Sequence, residues 1–124
     1  MKTILAVNGT LMRGLELENN LKEVNAIFLK ESQTAPSYRL FSIDDKYPAM
    51  ILDKNGKAIN VELYELEEEA LEIILSKEPE GLTIEKIRLI DNKEVFGVVA
   101  LPFIILGRKE ITSFGGWRNY IKSL

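Results

Sequence analysis

Between Ala26 and Leu63 strand-like runs follow one another across short gaps, and that spacing constrains the fold more than any other feature. Ala26–Glu31, Tyr38–Ile43 and Tyr47–Leu52 read as strands, and Ile59–Leu63 alternates cleanly. Ile59, Val61 and Leu63 take one face; Asn60, Glu62 and Tyr64 take the other. The gaps include the turn-rich Ser32–Ser37, centred on Pro36, and the hairpin signal Asp53-Lys54-Asn55-Gly56. Asn-Gly tolerates the positive φ angles of a type I′ turn. A crossover between parallel strands needs about a dozen residues or more. Such gaps argue against a doubly wound sheet and for mostly antiparallel pairing.

The flanks add helices to this β-rich centre. Thr3–Val7 is nearly all apolar, as expected of a strand covered on both faces. Leu17, Leu21 and Val24 recur at helical spacing, and Glu67–Leu75 carries a second apolar helical face behind three glutamates. Pro79 and Gly81 stop that helix. Leu82–Ile90 resumes as a strand whose alternation slips, which predicts a bulge near Glu85-Lys86. After a turn at Asp91–Lys93, Glu94–Leu101 is a further strand, and Trp117–Leu124 a closing helix. The expected architecture is α+β: one domain over residues 1–124, a small mostly antiparallel β-barrel with two or three packed helices.

Composition narrows the chemistry. A net charge of −3 argues against a nucleic-acid partner, which favours a basic surface. The longest apolar run, Val98–Leu106 with Pro102 inside it, falls far short of the about 20 residues a membrane span needs. The N-terminus shows no cleavable signal pattern, so a cytoplasmic protein with no membrane partner is expected. There is no cysteine and no histidine. Thiolate metal sites and histidine-assisted nucleophiles are thereby removed, leaving proton transfer to carboxylates, lysine, tyrosine or water. The acidic residues are spaced as helix faces, so no metal and no cofactor is expected.

Val7–Gly14, reading VNGTLMRG, leaves the first strand through a small backbone-exposing loop. Successive N–H groups of such a loop form an anion-binding concavity, although the same pattern serves as a plain strand-to-helix turn. Arg13 beside it either pairs with an anionic ligand or points into water. Glu78-Pro79-Glu80-Gly81 puts two carboxylates between a helix and a strand. A desolvated carboxylate there works as a general acid/base near neutral pH; a solvated one is only a surface charge. Tyr38 lines a pocket or packs in the core with its hydroxyl at the rim. Phe114 and Trp117 read as core anchors.

Taken together, these segments resemble the gamma-glutamylcyclotransferase-like superfamily. Leu5–Gly14 resembles its Tyr-Gly-Thr/Ser-Leu loop, Tyr47-Pro48-Ala49-Met50 its Tyr-Pro strand, and Asn60–Leu66 the strand entering its second helix. Within it, the chain is most similar to the C-terminal domain of allophanate hydrolase, through Thr34–Leu40, Glu62–Leu66 and Ile111–Tyr120. The resemblance implies a free-standing relative with a pocket bordered by Asn8, Gly9, Thr10 and Leu11, with Arg13, Tyr38 and Tyr47 as further binding residues. It implies a glutamate general acid/base, with Glu80 in the favoured position and Glu78 the alternative. The implied substrate is a gamma-glutamyl amine or related amide, and the other implied role is an accessory module binding a small carboxylate or a partner protein. Edges of a small barrel can also pair between copies, which leaves a homodimer open. Asn8 stands where the family has tyrosine, and the glutamates stand where the allophanate hydrolase domain is apolar and proline-rich.

Overall fold

The computed structural model describes all residues, 1–124. Its strands are β1 (Lys2–Val7), β2 (Ile27–Gln33), β3 (Tyr38–Ile43), β4 (Tyr47–Leu52), β5 (Asn60–Glu67), β6 (Leu82–Arg88), β7 (Glu94–Ala100) and β8 (Lys109–Glu110). The helices are α1 (Glu18–Glu23), α2 (Ala70–Ser76) and α3 (Trp117–Lys122), with short 3-10 turns at Pro102–Ile105 and Thr112–Phe114. One sheet has the order β2-β5-β1-β7-β6, the other β4-β3-β8. Every pairing is antiparallel except β1 with β7.

The α+β class and the mostly antiparallel pairing match the expectation, but the sheets do not close into a barrel. β4 lies against β7 without a ladder between them. A single bridge, Thr34 to Leu89, ties the outer strands β2 and β6 at one end. Closure stops there because Pro36 and the Ser37 turn carry the chain away into β3. β1 is the hub: Leu5, Ala6 and Val7 are fully buried between β5 and β7. Leu40, Met50, Ile59, Val61, Ile74, Ile111, Trp117 and Tyr120 complete the main core.

Two local expectations are corrected. Asn55 and Gly56 do not adopt positive φ; that conformation falls at Asp44 and Asp45, with φ of 55° and 57°. Aspartate tolerates this region, and the β3–β4 turn is locked by Asp45 N–H donating to Ser42 Oγ at 3.0 Å. The Ser42 and Tyr120 hydroxyls then donate to Asp45 Oδ1 at 2.7 and 2.6 Å. Gly56 instead lies against the Tyr38 backbone, where a Cβ would collide. Second, β6 pairs with β7 from Leu82 to Arg88 without a bulge. Its phase slip is absorbed at Gly97, whose missing side chain leaves room for Ile87: a Cβ there would lie 2.6 Å from Ile87 Cδ1. The bulge falls in β2, between Phe28 and Lys30. On the second face of β5, Glu62 and Tyr64 are buried like Val61 and Leu63, while Asn60 is exposed.

Candidate active site

The parallel strands β1 and β7 end side by side, Ala6 opposite Gly97, so the chain leaves β1 at Asn8 next to Val98. The Asn8 amide Nδ2 donates to the Val98 carbonyl at 2.9 Å and approaches Met50 Sδ at 3.7 Å. Asn8 thus braces the exit of β1 against β7 and β4. Gly9 follows in contact with Pro48: a Cβ would lie 2.5 Å from Pro48 Cδ, so only glycine passes here without displacing β4.

The next peptides are oriented by their carbonyls. Gly9 C=O accepts the Met12 N–H and Thr10 C=O accepts the Leu17 N–H, both at 2.9 Å. In a planar trans peptide the N–H points opposite to the C=O. The N–H groups of Thr10 and Leu11 are therefore directed away from the bonds that their partner carbonyls make. No backbone N–H from Asn8 to Leu11 donates a hydrogen bond within the protein. All four residues are buried and line one cleft. Buried backbone donors are rarely left unpaired, so this loop is a cradle of free donors.

Across the cleft stands Glu78. Its N–H closes the end of α2 onto Leu75 C=O at 3.1 Å. Pro79 cannot continue the helix, and Gly81, at φ 94°, turns the chain into β6. The Glu78 side chain joins Tyr47, Pro48, Leu82 and Val98 in lining a narrow cleft of about 10 Å³ with the loop residues. Its Oε2 is buried and has no hydrogen-bond partner. Burial pushes the Glu78 carboxyl up to about 7, the poise that suits proton transfer near neutral pH. Burial likewise raises the Tyr47 phenol.

The structure thus brings Asn8, Gly9, Thr10, Leu11, Tyr47 and Glu78 together. Glu80, the favoured position from sequence, is exposed and outside the cleft lining. The short helix end and Pro79 put Glu78, and not Glu80, in the cleft lining, a detail invisible in residue spacing. Tyr38 is in the core, its hydroxyl accepting the Arg88 N–H at 3.1 Å. Arg13 lies beyond the loop, paired with Glu31 and Glu62 and stacked 3.9 Å over the Phe28 ring. Sequence reasoning missed the wall residues Pro48, Leu82 and Val98, which carry no chemical signal. It also missed a shallow groove that shares Thr10 and Tyr47 with the cleft and runs on to Glu16, Asp45 and Lys46. No group of histidine, cysteine or acidic side chains converges to hold a metal ion, and no helix is long and apolar enough to cross a membrane.

The family model for the allophanate hydrolase C-terminal domain matches residues 3–122. The urea amidolyase of Saccharomyces cerevisiae is 30% identical over 97% of the chain, which spans only 7% of that protein. Among solved structures, the uropathogenic E. coli-specific protein c4763 has a TM-score of 0.96 at 44% identity, covering 100% of this chain and 98% of that one. Kluyveromyces lactis allophanate hydrolase has a TM-score of 0.91 at 26% identity, covering 99% of this chain and 21% of that one. A mouse AIG2-like protein and a gamma-glutamyl cyclotransferase, at 20% and 11% identity, share the fold, with TM-scores of 0.63 and 0.53. A family match over nearly the whole length shows that the chain belongs to the allophanate hydrolase C-terminal domain family.

Proposed function

We propose that the cleft is the active site of a small-molecule enzyme of gamma-glutamylcyclotransferase type, with Glu78 as general acid/base. The observation that carries this is the unpartnered, buried Glu78 Oε2 across the cleft from the free N–H groups of Asn8–Leu11. Donors fixed before reaction stabilise developing negative charge without reorganisation. A carboxyl titrating near 7 takes and returns protons at neutral pH.

For a gamma-glutamyl amine the steps balance simply. The Glu78 carboxylate removes a proton from the substrate's α-ammonium, and the freed amine attacks the gamma-carbonyl carbon. The C–N bond of the five-membered lactam forms while the carbonyl oxygen, now negative, rests against the loop N–H groups. Collapse breaks the bond to the leaving amine, which receives the proton from Glu78; the carboxylate so restored takes the surplus proton from the ring nitrogen and passes it to the departing amine. The products are 5-oxoproline and the amine in its protonated form, and Glu78 is again a carboxylate. The groove past Tyr47 gives the departing amine an exit toward Lys46 and Glu16.

A panel of gamma-glutamyl amines, assayed for 5-oxoproline, tests this. Glu78→Gln is expected to lower turnover by about 100-fold or more, and Glu80→Gln to leave it near the wild-type rate. Absence of turnover across the panel by the folded protein contradicts the reading. A second reading is favoured by the small size of the cleft and by sequence likeness that is stronger to allophanate hydrolase and urea amidolyase. In it the cradle binds a small carboxylate, such as allophanate, without turning it over. Thermal stabilisation by such carboxylates with no product formed supports that reading against the first.

A further inference from the structure

Glu62 holds both ends of the amide cradle. Its backbone pairs with Val7, just before Asn8, in the β1–β5 ladder. Its carboxylate Oε1 accepts the Arg13 backbone N–H at 2.9 Å, two residues past Leu11. Arg118, on α3, donates Nη2 to the Arg13 carbonyl at 2.5 Å and to Glu62 Oε2 at 3.0 Å. One ion pair therefore grips the Arg13 main chain on its N–H and its C=O. Glu62 is only 2% exposed. Burial raises its carboxyl, but the Arg13 N–H and the two guanidinium groups outweigh burial and hold it below the ordinary carboxylate value.

A buried ion pair is a weak source of stability, because a well-packed apolar replacement often does as well. A main-chain grip fixes geometry that an apolar contact leaves loose. We propose that Glu62 and Arg118 are positioning residues that set the direction of the free cradle N–H groups from behind the loop. With Val7 fixed by the β5 ladder and Arg13 fixed by the Glu62 carboxylate, the turn between them has little freedom. The Met12-to-Gly9 and Leu17-to-Thr10 hydrogen bonds then keep the two carbonyls turned from the cleft. The effect on turnover rests on the function proposed above; the effect on the loop does not.

Amide hydrogen exchange of the full chain reads the grip directly. Glu62→Ala is expected to speed exchange of the Met12 and Leu17 amides at least about 10-fold, while the β6–β7 ladder keeps its protection. Glu62→Gln keeps an acceptor for the Arg13 N–H and is expected to restore most of that protection. Arg118→Met, at a half-exposed position, gives the same direction of change should Glu62→Ala fail to fold. Unchanged Met12 and Leu17 exchange in both folded variants overturns the proposal, and so does uniform loosening that includes the β6–β7 ladder. Where turnover is measurable, kcat falls in Glu62→Ala while the acid limb of the pH profile stays in place. Glu78→Gln separates the two ideas: it removes turnover and leaves the Met12 and Leu17 amides protected. A wild-type protein without turnover refutes the enzymatic reading and leaves the exchange test intact.

Discussion

A carboxyl group buried with no partner is held more easily as the neutral acid, and Glu78 carries the cost of that placement whenever it ionises. Its folded value of about 7 lies above the ordinary 4.5. Below about pH 4.5 both folded and unfolded chains hold the proton, and the group costs nothing. Between 4.5 and 7 the folded chain binds a proton that the unfolded chain has lost, so stability falls as pH rises, and above 7 the loss is complete. Glu78→Gln removes this penalty. It is expected to be more stable than wild type by roughly 2–3 kcal/mol at pH 8 and about equal at pH 4.5, read from denaturant midpoints. Activity moves the opposite way, since the base form must be present: kcat/KM is expected to rise with pH through about 7. At Gly9 the constraint is steric. Gly9→Ala is expected to lower turnover by about 10-fold or more, by pushing the loop from Pro48. The loop and a nearby glutamate were legible in the sequence. Which glutamate lines the cleft was not, because that depends on how α2 ends.

The elements hold this site through a few side-chain bonds that look ordinary in sequence. Thr112 Oγ1 accepts the Leu40 N–H at 2.9 Å and donates to Glu110 Oε2 at 2.8 Å, fastening the short strand β8 to β3. Thr112→Val leaves that buried N–H unpaired and is expected to cost about 1–3 kcal/mol in chemical denaturation. Gly97→Val meets Ile87 and is expected to cost a similar amount, about 1–3 kcal/mol, while shifting the ladder beside Asn8. Strands Tyr38–Ile43 and Tyr47–Leu52 were readable to the residue, because alternation and proline mark them. β8 was not, since two residues carry no period. The alternation in β5 marked its two faces, but it does not say that the second is covered at Glu62 and Tyr64.

At the scale of the molecule, charge opposes charge across the pH range. Glu62, Glu110, Glu23 and Asp45 are held below their ordinary values by hydrogen-bonded partners, Glu110 at about 2 through Arg39 and Thr112. Their contributions are present above the unfolded carboxylate range and are lost as pH falls through the lowered values. Glu78 works the other way, from 4.5 upward. Together they predict a stability maximum near pH 5, with the fall between pH 5 and 8 flattened in Glu78→Gln; melting midpoints across that range check it. The same opposition defines the site, since the Glu78 carboxyl is buried without a partner while the buried Glu62 is paired with two guanidinium groups. The most direct measurement is a pH titration of the Glu78 side-chain carboxyl carbon by NMR, with the Thr10 and Leu11 amides followed alongside. A midpoint of about 7, shared by both amides, is the predicted result. A midpoint in the ordinary carboxylate range, or amides that do not respond, contradicts the account.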